Sequence, residues 1–200
     1  MTQLNLRSAF LHVIDGHRWF AASARTWNIV GPHATGALKA ETHKVLLNID
    51  VTTLDSVLMR ARLLIKFYRN VSQRDNDILL KDFTLSLSNA LDSALNRFEH
   101  PIEVHLLHLT DWRDPQYRML NAFGRNANRG RLDWNVETNV LVDTLFSALK
   151  YVSEQAEPWA KAFQELYAAA YQRHSDDLFP WPLFLSEWPD MDAHLASLAL

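Results

Sequence analysis

The sequence predicts an all-α fold. It is expected to be a single-domain bundle of six or seven helices over residues 1–175, with an extended Pro/aromatic arm over 176–200. Three observations point there. Glycine is scarce, five in 200 residues, and strand-rich folds use more of it in their turns. Apolar residues recur at the i, i+3, i+4, i+7 spacing of amphipathic helices along most of the chain. The composition, 48% apolar and 22% charged, is that of an ordinary globular domain, able to build a core without metal or disulfide.

The first stripe is Leu6, Phe10, Val13, Ile14, His17, Phe20, Ala21 and Ala24, with Asn5 as a candidate cap. Residues 30–36 carry Gly31, Pro32 and Gly36 and predict a break. A helix over about 37–48 is expected next. Leu54, Val57, Leu58, Ala61, Leu64, Ile65 and Tyr68 form the following stripe, with Asp50, Thr52 or Thr53 as its cap. A polar connection covers 70–77. Ser86 is then the expected cap of a helix built on Leu87, Ala90, Leu91, Ala94, Leu95 and Phe98.

Pro101 marks the start of a separate short helix, because the first helical position tolerates a missing N–H. The stretch Gly124–Gly130 is the most loop-like of the chain. Leu141, Leu145, Ala148, Leu149 and Val152 mark another helix. Pro158 opens the last, with Trp159, Phe163, Leu166, Tyr167 and Ala170 on its core face. In residues 177–191, three prolines among fifteen residues exclude a continuous helix, and four aromatics make the segment too apolar for a free linker. It reads as an arm packed on the bundle or on a partner, with Trp181, Phe184 and Trp188 as contact residues.

Net charge is −3, too balanced to announce nucleic acid by charge alone. Without cysteine there is no disulfide, thiolate metal site or thiol nucleophile. No signal peptide or membrane span is apparent, so the expectation is a cytoplasmic protein. Phosphate-binding G-x-x-x-x-G-K-[ST], dinucleotide-binding G-x-G-x-x-G, esterase G-x-S-x-G and H-E-x-x-H motifs are absent.

Four groups of residues invite chemistry. His105 and His108, at i and i+3 on one predicted helix, suit a catalytic pair or two metal ligands. A third ligand would come from His17, His100, Glu103 or Asp111. Against this stands a structural reading, with His105 half buried in the core. Arg62, Lys66 and Arg69 form a row on one helix, either a solvated face or a phosphate-contact row. Arg125 and Arg129 add cations in the 124–130 loop. A literal Arg-x4-His occurs at Arg7 and His12, a spacing that composition alone produces by chance.

The segment IEVHLLHLTDWR (102–113), with ARLLIKFY (61–68), DILLKDF (77–83) and LDWN (132–135), resembles a pattern of uncharacterised bacterial helical proteins. Their pattern is close to I-N-K-H-x-A-H-L-T, preceded by A-R-x-L-x-x-F and D-x-x-x-x-D-F. It covers about residues 57–150 and is similar to the HEPN superfamily. The resemblance implies a small, often dimeric α-bundle of a bacterial defence or toxin–antitoxin type, acting on RNA as a metal-independent ribonuclease with no cofactor.

The HEPN motif is Arg-x4–6-His, in which the histidine moves a proton and a cation holds phosphate. His108 takes the motif position, with His105 and Arg113 as further catalytic candidates. Arg62, Lys66, Arg69, Arg125 and Arg129 are the phosphate candidates. Glu103 and Val104 stand where Asn and Lys, or Arg and Asn, belong, and a carboxylate there repels phosphate. Ribonuclease activity is therefore expected to be weak or lost. The alternatives are a non-catalytic interaction or dimerisation module and a metal-binding bundle using His105 and His108.

Overall fold

The structure is a computed structural model. It describes residues 6–34, 40–72, 74, 77–107 and 134–175, with side chains for 6–27, 53–72, 74, 77–103, 106 and 137–168. The described residues form five α-helices and one 3-10 turn, with no strand. They are α1 (Leu6–Ala34), α2 (Ala40–Tyr68), the turn Leu80–Phe83, α3 (Asn89–Leu107), α4 (Trp134–Ser153) and α5 (Ala160–Ser175). The all-α class is as the apolar spacing predicts. No helix among the described residues is long and apolar enough to cross a membrane.

The first two helices make an antiparallel hairpin. Its register is marked by Ser23 against Ser56, whose hydroxyls lie 2.9 Å apart, Gly16 against Leu64, and His17 against Tyr68. The predicted apolar stripes are the faces that meet: Phe10, Val13, Ile14, Phe20 and Ala24 from α1, and Val57, Leu58, Ala61, Leu64 and Ile65 from α2, all buried. The opposite side of α2 packs on α3, α3 packs on α4, and α4 and α5 form a second hairpin lying against α1.

An aromatic knot closes one end of this core. The Phe10 ring lies 5.9 Å from Phe83, 5.4 Å from Trp159 and 5.0 Å from Phe163. Phe67 stacks on Phe163 at 6.3 Å. Offset and edge-on ring pairs of this kind add about 0.5–1.5 kcal/mol each beyond the area they bury.

Several expected boundaries move. The break at 30–36 does not interrupt α1, which runs through Gly31 and Pro32 to Ala34. The helix expected at 37–48 and the one beginning near Leu54 are a single helix, α2. Asp50, Thr52 and Thr53 are good caps but weak breakers, and α2 contains no glycine or proline to stop it. The cap of α3 is Ser88 and not Ser86: the Ser88 hydroxyl accepts from Leu91 N–H at 3.3 Å. Ser86 instead exchanges backbone hydrogen bonds with the Gln155 side chain across 69 residues.

The stretch 78–85 is more than a connection. Leu79, Leu80, Phe83 and Leu85 are buried, and the turn plugs the core between α2 and α3. Its backbone is held at both ends. Asp82 Oδ2 accepts from Leu79 N–H at 2.8 Å, and Asn70 Oδ1 accepts from Lys81 N–H at 2.7 Å. Asn70 and Thr84 adopt left-handed backbone conformations, with φ of 57° and 59°, where the chain leaves α2 and leaves the turn.

Pro101 does not begin a helix. It lies inside α3, which continues to Leu107. The proline removes the hydrogen bond that residue 101 would give to the Arg97 carbonyl. Packing holds the helix together across it, with Phe98 and Ile102 fully buried on either side. Pro101→Ala is expected to stabilise the fold by about 1–2 kcal/mol, part of the roughly 3 kcal/mol an interior proline costs a helix. Thermal unfolding followed by far-ultraviolet dichroism checks this; an unchanged or lower midpoint contradicts it.

Candidate functional site

The Arg62, Lys66, Arg69 row faces neither open solvent nor an empty groove. Successive positions i, i+4 and i+7 bring all three to the side of α2 that meets α3. The facing stripe of α3 is acidic, with Asp92, Glu99 and Glu103 on one side. Glu103 Oε1 accepts from Arg62 Nη2 at 3.0 Å and Arg62 Nε at 3.3 Å, and lies 3.3 Å from Lys66 Nζ. Arg69 Nε donates to Asp92 Oδ1 at 3.1 Å, and Arg69 also pairs with Glu99. The three cations thus form an interhelical charge seam.

The seam is partly desolvated. Lys66 is buried at 8% exposure, its stem lying against the core while its ammonium reaches Glu103. The Arg62 hydrogen bonds hold the Glu103 carboxyl below its ordinary pKa; burial opposes this and Lys66 adds to it. Glu103 therefore stays ionised at neutral pH. It is the carboxylate that stands where the resembled motif has an amide or a cation, and it sits directly on two of the predicted phosphate ligands.

The remaining predicted site residues fall elsewhere. His105 lies on α3, but its side chain is outside the described residues. His108, Arg113, Arg125 and Arg129 also lie outside them, as do the arm residues Trp181, Phe184 and Trp188. Of the third-ligand candidates, Glu103 is engaged in the seam, His100 is exposed on α3, and Asp111 lies outside the described residues. His12 is exposed on α1 and Arg7 half-buried. Among the described residues no group of three or more histidine, aspartate or glutamate side chains is arranged to hold a metal.

His17 belongs to a polar pair that the sequence reading missed. It is buried in the α1–α2 hairpin. Its Nδ1 lies 2.8 Å from the Val13 carbonyl oxygen and its Nε2 lies 2.7 Å from the Tyr68 hydroxyl. A carbonyl only accepts, so Nδ1 carries the proton and Nε2 accepts from Tyr68 O–H. Burial lowers the histidine pKa from 6.5 to about 4, the Val13 hydrogen bond opposing it, and burial raises that of Tyr68 well above 10.0. The signal was a histidine inside one apolar stripe and a tyrosine inside the next. This pair is a closed, satisfied unit, suited to fixing register and not to reaching a substrate.

Comparison with protein-family models, with curated proteins and with solved structures yields no match.

Proposed function

We propose that the protein is a HEPN-like helical protein in which ribonuclease activity is lost and binding remains. The observation that supports this reading is Glu103. In the seam one carboxylate occupies Arg62 and Lys66 together, so a phosphodiester approaching these cations meets a fixed negative charge. A nuclease of this type needs a cation free to stabilise the phosphorane-like transition state, since that stabilisation is a dominant part of the rate. Here two of the proposed phosphate ligands are committed to holding α2 against α3.

The test is cleavage of a short single-stranded RNA, in chelator, by the native protein, His108→Ala and Glu103→Gln. The expected result is background hydrolysis for the native protein and no change for His108→Ala. Glu103→Gln, which frees the two cations while keeping the side chain's shape, is expected to raise RNA affinity about tenfold at low salt and to steepen its salt dependence. Robust cleavage by the native protein that His108→Ala abolishes would sink the lost-activity reading. Unchanged affinity in Glu103→Gln would remove the seam from it.

A further inference from the structure

We propose that residues 177–191 of this same chain dock along the outer face of the α1–α2 hairpin, over Trp19, Met59 and Leu63. The inference is independent of the nuclease reading.

Leu63 and Met59, 53% and 52% exposed, are the most exposed large apolar side chains among the described residues; Trp19 follows at 42%. They form one patch. Met59 and Leu63 are one turn apart on α2, and Arg60 lays its guanidinium 5.9 Å from the centroid of the Trp19 ring. The hairpin register puts Leu64 opposite Gly16, so Leu63 and Trp19 lie on neighbouring turns of the two helices. Apolar clusters rimmed by charge mark interaction surfaces.

Charge indicates what covers it. Between residues 53 and 70, α2 carries Arg60, Arg62, Lys66 and Arg69 against a single acid, Asp55. Arg69 has two carboxylates, Asp92 and Glu99, but Arg62 and Lys66 share one. On α1 the nearby Asp15 is turned to Arg18, at 3.6 Å. The rim of the patch is therefore positive. Residues 176–200 hold five acidic residues and no lysine or arginine, and their apolar anchors Phe179, Trp181, Phe184 and Trp188 alternate with prolines. An extended, acidic, aromatic segment is the complement of an apolar stripe edged with arginine.

The reach is sufficient. Phe10 on α1 meets Trp159 and Phe163 at the start of α5. Phe146 on α4 lies beside Phe20, so α4 runs against α1, and α5, turning back along α4, runs with it. From Phe163 to Ser175 the helix rises about 18 Å, which brings its end level with the Phe20–Ser23 turn of α1, beside Trp19. From there residues 176–181 span about 20 Å when extended, enough to cross one helix.

Because the chain contains no cysteine, one introduced thiol reports on one place. Leu63→Cys is placed in the full chain with its native tail and with Trp181→Ser, Phe184→Ser and Trp188→Ser together. Labelling by a soluble thiol reagent is expected to be about tenfold slower with the native tail. Lys161→Cys, exposed on α5, is expected to label alike in both and so reports that the bundle is intact. A second tail, Glu187→Lys with Asp190→Lys, keeps the aromatics and is expected to expose the thiol at low salt. Equal Leu63→Cys rates in all three tails overturn the proposal. So does protection that disappears on dilution, which would make a second copy the occupant.

Discussion

Phe83→Ala is expected to destabilise the protein by about 4 kcal/mol, in the range for removing a buried phenylalanine ring. Phe83 is fully buried and touches four other rings. Trp159 lies at 5.0 Å, Phe163 at 5.7 Å, Phe10 at 5.9 Å and Phe67 at 6.1 Å. These rings come from α1, α2 and the α5 hairpin, so they cannot all collapse toward one vacancy without moving a helix. The turn that carries Phe83 has few other ties to the bundle, so its loss frees the whole segment 78–85. The thermal midpoint should fall by about 10 °C, at 2–4 °C per kcal/mol for a domain of this size. Phe83→Leu, which refills most of the volume, should cost less than half as much. Equal losses in the two variants would mean that the turn, and not the ring packing, carries the stability.

Phe83 also shows what the sequence made legible. The stripes on 54–68, 87–98, 141–152 and 159–170 each place their central residues in the core, because a 3.6-residue period is a direct imprint of one buried face. A four-residue 3-10 turn is too short to leave any period, so Leu80 and Phe83 passed as connection. Helix ends were misplaced for a related reason. Caps and prolines act locally at about 1–3 kcal/mol, and packing of a long apolar face overrides them at Thr53 and Pro101. The charge seam was half visible. The row Arg62, Lys66, Arg69 is plain on α2, but Glu103 lies 41 residues from Arg62, and only the packing of α2 on α3 assigns it as partner. The sequence reading of Glu103 as a carboxylate hostile to phosphate depended on the family resemblance, and its contacts now give that reading a physical basis. The imidazoles at 105 and 108 had no such check, since neither side chain is among those described.

The buried His17–Tyr68 pair makes stability depend on pH in the mildly acid range. The folded-state pKa of His17, about 4, is below its ordinary 6.5. Between these values the unfolded chain binds a proton that the folded chain refuses, so stability is full above about pH 6.5 and falls as pH drops toward 4. The gap corresponds to about 3 kcal/mol in all, of which about 2 kcal/mol is lost between pH 7 and pH 5. Glu103, held below its ordinary range, weakens the fold only at lower pH, so the window from 7 to 5 isolates the histidine. His17→Leu alone leaves the Tyr68 hydroxyl buried without its acceptor and should cost about 1–3 kcal/mol at pH 7. Adding Tyr68→Phe removes the orphaned hydroxyl and should return most of that loss, because replacing both partners with apolar groups is close to neutral. The double variant is then expected to be flat from pH 7 to pH 5 in denaturant unfolding while the native protein is not. A parallel decline in both would assign the acid sensitivity to groups other than this pair.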